Sequence, residues 1–274
     1  MELNKIYNED CLIGMKRIPD KSIDMTLTSP PYDNLRDYNG YTFDFEGIAK
    51  ELFRITKPGG VVVWVVGDET INGSETLTSF KQAIYFKELG FNVHDTMIYQ
   101  KNGYPFPPKN RYYQVFEYMF VFSKGKPKTT NLIADKPNRS YGKKVVSSTQ
   151  RQPDGTTIKI SANKTNPNRQ VKEFGVRTNV WLYSPGYMKS TKDKIAYKHP
   201  AQFPEQLAQD HIISWSNEGD IVLDPMAGSG TTLKMAIKNN RNYIGFEISK
   251  EYVDIINKRI DEIKSKKESY IFNL

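Results

Sequence analysis

The chain has 274 residues, 38% hydrophobic and 12% aromatic, enough for one large α/β domain, alone or with a sizeable insertion, and short for two. Its first residues, MELNKIYNED, lack the apolar core of a secretory signal, and no apolar run reaches the roughly 20 residues a bilayer span needs. A soluble, cytoplasmic protein without a membrane partner is therefore expected. The single cysteine, Cys11, cannot form an internal disulfide, and His94, His199 and His211 are too scattered for metal-ligand spacing, so no metal is expected.

The formal charge of +8 suits an anionic partner, and its distribution says more than its size. Between Lys124 and Lys198 there are 17 Lys and Arg against four Asp and Glu, a net +13 that leaves the rest of the chain at −5. The whole positive excess lies in one block.

In chain order, KIYNEDC reads as a short strand ending in an acidic turn, and IDMTLTSPPYD as a strand stopped by two prolines. FDFEGIAKELFRITKPGG carries Ile48, Leu52, Phe53 and Ile55 at helical spacing and closes with Lys, Pro and two Gly. VVVWVVGD is apolar at every position, as a buried parallel strand is. A helix over TLTSFKQAIYFKELG follows, then strands over FNVHDTMIYQK and QVFEYMFVFSK around a Pro-rich loop. From 124 to 176 periodicity fades into Lys, Asn, Ser, Thr and Gly, and an irregular basic insertion is expected. The α/β alternation resumes with the helix FPEQLAQDHIISWS, the strand DIVLD, a glycine loop, the helix TTLKMAIKNN, the strand YIGFE and a terminal helix from Lys250. The pattern predicts a doubly wound, mostly parallel seven-stranded Rossmann-like sheet, with 1–123 and 177–274 as the catalytic, cofactor-binding domain and 124–176 inserted.

Two loops carry the chemistry. Asp224-Pro225-Met226-Ala227-Gly228-Ser229-Gly230-Thr231-Thr232 joins a buried strand to a helix; its glycines allow a tight turn and close approach of a ligand, and the helix start offers free N–H groups. No Lys follows the second glycine, as a nucleotide-hydrolase phosphate loop requires, and the full GxGxxG pattern is absent. Glu247, ending the next strand, is placed like the acid that holds ribose hydroxyls, and Asp10 ends a strand where it can accept from an adenine amine. Taken singly, either acid reads better as a helix cap or a solvated loop acid than as a ligand. Ser29-Pro30-Pro31-Tyr32 ends another strand: the prolines remove two donors and fix a rigid acceptor turn, and Tyr32 offers a face for a base. Hydrogen bonds from an aromatic amine to Ser29 and the Pro30 carbonyl would turn its lone pair toward an incoming methyl group.

These residues resemble the β class of bacterial DNA amino-methyltransferases of restriction–modification systems, in which the catalytic motif precedes the cofactor loop. Ser29 to Tyr32 is similar to that family's catalytic motif, Asp224 to Thr232 to its cofactor loop, Gly245-Phe246-Glu247 to its ribose strand, and Asn8-Glu9-Asp10-Cys11 to its adenine-contacting motif. His199, Pro200 and Phe203 belong to a segment similar to the one around the methionine end of the cofactor; Lys57 to Gly60 and Ile98 to Lys124 also follow the family. The resemblance implies S-adenosylmethionine as cofactor, duplex DNA as substrate, base flipping, and target recognition by the basic insertion. Arg36 beside the catalytic loop, and Arg139, Lys143, Lys144, Arg151, Arg169 and Arg177, are then the candidate DNA contacts. A cognate restriction endonuclease acting separately and a homodimer are partners it leaves open.

Ser29 and Phe203 resemble the cytosine-N4 subgroup, adenine enzymes having Asp or Asn before the prolines. Cytosine N4 is the expected target, with adenine N6 the nearest alternative, and an RNA methyltransferase or a non-catalytic DNA-binding protein further off. Carbon-5 methylation needs a cysteine nucleophile, and Cys11 lies outside the Pro-Pro-Tyr loop.

Overall fold

The computed structural model describes residues 1–31, 43–103, 109–145, 148–160 and 168–271. Tyr32 and Arg36, with Tyr38 and Tyr41 of the same loop, lie outside the described residues. The chain divides into two compact units, Met1–Asn131 with Asn179–Leu274, and Leu132–Thr178. Residues 124–131 join the first unit, where Lys128 N–H donates to Gly59 O and Asn131 N–H to Ser214 O.

In the larger unit the chain runs β1 (Lys5–Tyr7), α1 (Cys11–Met15), β2 (Ile23–Thr28), α2 (Phe45–Ile55), β3 (Thr56–Val66), α3 (Thr78–Glu88), β4 (Asn92–Lys101) and β5 (Phe116–Ser123). After the insertion come β6 (Val180–Tyr183), α4 (Glu205–Trp215), β7 (Ile221–Asp224), α5 (Thr231–Lys238), β8 (Asn242–Phe246) and α6 (Lys250–Ile271). The sheet order is β1-β8-β7-β2-β3-β5-β4-β6, parallel throughout except that β5 runs against both neighbours. The sheet thus has eight strands rather than seven. The addition is β6, whose alternate residues Trp181 and Tyr183 are buried while Val180 and Leu182 stay exposed. Because all four are apolar, the sequence shows no period of two there.

Every residue from Val61 to Val66 is buried, since β3 is central and covered on both faces. Odd-numbered Val61, Val63 and Val65 pack with Leu207, Ile212 and Leu233 of α4 and α5; Val62, Trp64 and Val66 pack with Ile48, Leu52 and Phe86 of α2 and α3. Helix α2 stops at Ile55, so Lys57-Pro58-Gly59-Gly60 lies in the first turn of β3, beside a register shift against β2, instead of ending the helix. Among the described residues no helix is long and apolar enough to cross a membrane.

The smaller unit is mostly irregular among the described residues, as expected, but also holds short paired strands that the sequence does not show. It contains antiparallel pairs of Lys136–Pro137 with Phe174–Gly175 and of Ser148–Arg151 with Thr157–Ile160. These ladders are held by backbone pairing and turn residues rather than by an apolar stripe, so they leave no hydrophobic period in the sequence.

Candidate active site

The parallel strands bring their carboxyl ends to one edge, where ligands of such sheets bind. Tyr7 of β1 pairs with Phe246 of β8, and Asp224 of β7 with Gly245, so Asp10, Glu247 and the glycine loop emerge side by side. β2 is the other neighbour of β7, and its last residue, Thr28, donates from Oγ1 to Asp224 Oδ1 at 2.8 Å, across 196 positions of sequence. The end of β2, just before Ser29, and the first residue of the glycine loop are thereby pinned together. Ser29, Pro30, Pro31, Asp10, Cys11, Glu247, His199, Pro200, Phe203 and most of the glycine loop line one cleft of about 1560 Å³. That exceeds the roughly 300–1,000 Å³ of a single small-molecule site and leaves room for a second ligand beside a nucleoside.

Asp224 is fully buried, and burial pushes its carboxyl up to about 6. Thr28 and the Met226 N–H donate to Oδ1, and no cationic side chain among the described residues pairs with it. A buried carboxylate held by neutral donors alone, Thr28, Thr232 and the Met226 N–H, keeps a negative charge that suits a positively charged ligand such as a sulfonium. Its folded-state value lies above the unfolded value of 3.8, so its contribution favours folding below that value and is lost as pH rises through about 6. Asp224→Asn is therefore expected to be more stable than wild type by about 2–3 kcal/mol near pH 7.5 but not near pH 3.5, while binding the cofactor less well. Urea midpoints at the two pH values check this.

Glu247 is nearly buried: Oε2 accepts from Gly228 N–H at 2.8 Å and Oε1 from Ser249 N–H at 2.9 Å. Burial raises its carboxyl above the usual range. Two backbone donors leave each oxygen a further lone pair, enough for a pair of ribose hydroxyls. Gly228 has φ +53°, and a Cβ there would sit 3.0 Å from His199 Nε2, so a side chain would be strained and crowded at once. His199 is itself held, its Nδ1 against the Ala201 backbone and its ring edge-on to Tyr252 at 4.4 Å.

Asp10 caps α1, accepting from Leu12 N–H at 2.7 Å, and also lines the cleft. Cys11 is buried, and burial followed by the Asp10 charge pushes its thiol up to about 12. A thiol so held stays protonated and is no nucleophile. Cys11→Ala is accordingly expected to keep its turnover and lose cofactor affinity only modestly, as labelled-methyl incorporation would show.

A buried charge cluster beneath the glycine loop escaped the sequence reading. Arg259 of α6, 1% exposed, bonds Asp193 and Glu205; Lys234 of α5 bonds the same two acids. Arg259 also donates to the Ser229 carbonyl, and Ser229 Oγ donates to Gln202 Oε1 at 2.9 Å, fixing the loop from below. The available signal was a cation among Val253, Ile256 and Ile260 on the apolar stripe of α6. In the insertion, Arg139, Lys143, Lys144, Arg151 and Arg169 are exposed, whereas Arg177 pairs with Asp135.

A doubly wound sheet whose carboxyl edge gathers a glycine loop, a strand-end acid and a proline turn in one cleft is the arrangement expected of an S-adenosylmethionine-dependent methyltransferase. The DNA methylase family model for N6 and N4 enzymes matches residues 23–258, and the chain belongs to that family. It is 64% identical over 246 residues to the orphan methyltransferase M.BamHII of Bacillus amyloliquefaciens, covering 89% of this chain and 91% of that protein. It is 27% identical to the Type II methyltransferase M.BglII of Bacillus subtilis, over 92% and 68% of the two chains. Among solved structures, the cytosine-N4-specific PvuII DNA methyltransferase aligns with TM-score 0.67 at 21% identity over 93% of this chain and 85% of that one. The complex of M1.HpyAVI with SAM aligns with TM-score 0.59 at 25% identity, over 93% and 98%. The cofactor is S-adenosylmethionine and the substrate DNA.

Proposed function

We propose that the enzyme methylates N4 of a cytosine within a specific duplex sequence, after turning that nucleotide out of the stack. The observation that supports this reading is the Thr28–Asp224 hydrogen bond, between the residue before Ser29 and the first residue of the glycine loop. Bound S-adenosylmethionine supplies an electrophilic methyl group. Asp10 and Cys11 border its adenine, Glu247 takes the ribose hydroxyls, and His199, Pro200, Phe203 and residues 224–232 surround its methionine end. Ser29 Oγ and the Pro30 carbonyl would accept the two N–H bonds of the amine, which loosens the conjugation of its lone pair with the ring and turns it toward the methyl group, and the proton lost from N4 would pass along one of these bonds to solvent. Tyr32 would offer the ring on which the turned-out base stacks. No strong base would be needed, because the nitrogen is cationic and strongly acidic once methylated and gives up its proton readily.

Ser29 in place of an acid or amide, together with Phe203, supports cytosine. The insertion carries target recognition, with Arg139, Lys143, Lys144, Arg151 and Arg169 on DNA, Arg36 near the flipped base, and Arg177 shaping the unit through Asp135. Likeness to a protein named an orphan methyltransferase favours an enzyme that acts without a paired endonuclease. Mapping modified bases in DNA from cells expressing the protein is expected to show N4-methylcytosine at one recurring sequence. N6-methyladenine there would overturn the choice of base, and greater transfer to structured RNA than to duplex DNA would overturn the substrate. Ser29→Ala is expected to lower kcat at least tenfold with cofactor Kd nearly unchanged, measured by single-turnover kinetics and calorimetry.

A further inference from the structure

Within the smaller unit, Ser148–Arg151 and Thr157–Ile160 form a two-stranded antiparallel ribbon in the register Thr149 with Lys159, Gln150 with Ile158 and Arg151 with Thr157. All four residues of the second strand are exposed, including Ile158 at 47% and Ile160 at 38%. A lone pair of short strands with no buried face is marginal in water, so its sequence is not explained by a core. The connecting turn is nonetheless firmly set. Gln152 N–H donates to Thr156 O at 2.7 Å and Gly155 N–H to Gln152 O at 3.0 Å. Gly155 takes φ +85°, and Asp154 Oδ1 accepts from both Thr156 N–H at 2.9 Å and Thr156 Oγ1 at 2.7 Å.

Opposed residues share a face and alternate along each strand. One face therefore presents Thr149, Arg151, Thr157 and Lys159, all donors and two of them cations; the other presents Gln150 and Ile158. A ribbon of this length spans about 13 Å, and the B-DNA major groove, about 12 Å wide, admits a two-stranded ribbon. Asp154 at the tip would be repelled by phosphates, which favours insertion between the sugar–phosphate strands over lying against one of them.

We propose that this ribbon is the base-reading element of the insertion, entering the major groove with Arg151 donating to a guanine edge and Lys159 and Thr149 beside it. The proposal rests on the reading of the insertion as the target-recognition region. It is tested in the full-length protein with Arg151→Ala, Lys159→Ala and, as comparator, the double variant Lys143→Ala/Lys144→Ala. The readouts are mapped methylation on randomised duplex DNA and the salt dependence of DNA affinity. Arg151→Ala is expected to relax discrimination at one base pair by about 5- to 150-fold with little change in salt slope. The comparator is expected to weaken binding uniformly and to lower the slope by about 1.8. Uniform weakening by Arg151→Ala with unchanged sequence preference would overturn the ribbon's role and leave the insertion's. If all three variants bind and methylate as wild type does, the insertion is not the recognition region and both readings fall.

Discussion

Replacing Glu247 with alanine is expected to weaken S-adenosylmethionine binding by about 2–3 kcal/mol, roughly 30- to 150-fold in Kd, with DNA affinity nearly unchanged. The loss has two parts. The ribose hydroxyls would lose the charged acceptor proposed for them, and the Gly228 and Ser249 N–H groups that now bond the carboxylate would lose their partner. Glu247→Gln separates the two, because its single amide oxygen can satisfy one backbone donor but not both along with the ribose. Calorimetric titration of each variant is expected to rank wild type, Gln and Ala in falling affinity. A main loss in DNA binding instead would remove Glu247 from the cofactor site.

Arg259→Ala is expected to destabilise the protein by about 3–5 kcal/mol, lowering Tm by about 10 °C. The guanidinium is buried between Asp193 and Glu205, and its removal leaves two acids to share Lys234. The Ser229 carbonyl loses a donor at the same time, so cofactor affinity should fall although Arg259 does not line the cleft. Arg259→Lys is expected to recover part of the stability and less of the affinity, since one ammonium cannot span the acids and the carbonyl as a planar fork does. Scanning calorimetry with and without S-adenosylmethionine checks both statements.

What the sequence made legible was what local chemistry dictates. The all-apolar run at Val61–Val66, the glycines of the cofactor loop and the prolines after Thr28 each announce a backbone state without reference to distant residues. Glu247 and Asp10 were readable as strand-end acids for the same reason. What stayed hidden depends on which strands become neighbours. Thr28 meets Asp224 only because β2 lies beside β7, and Arg259 meets Asp193 only across 66 positions, so neither contact has a local pattern. Short elements were lost differently. Helix α1 has only five residues, and β6 is too uniformly apolar to show its alternation. The ribbon at 148–160 is polar on most of its surface because no core holds it, which is why it resembled an irregular loop.

The account turns on the acceptor turn and the cofactor loop serving one reaction. A crystal structure with the cofactor analogue sinefungin and a short duplex carrying the target site measures this directly. With the amine bonded to Ser29 Oγ at about 3 Å and poised about 3–3.5 Å from the transferred group, that group is expected within about 6 Å of Ser29 Oγ. An analogue whose reactive end faces away from the turn, with more than about 10 Å between them and no base in the gap, would contradict it.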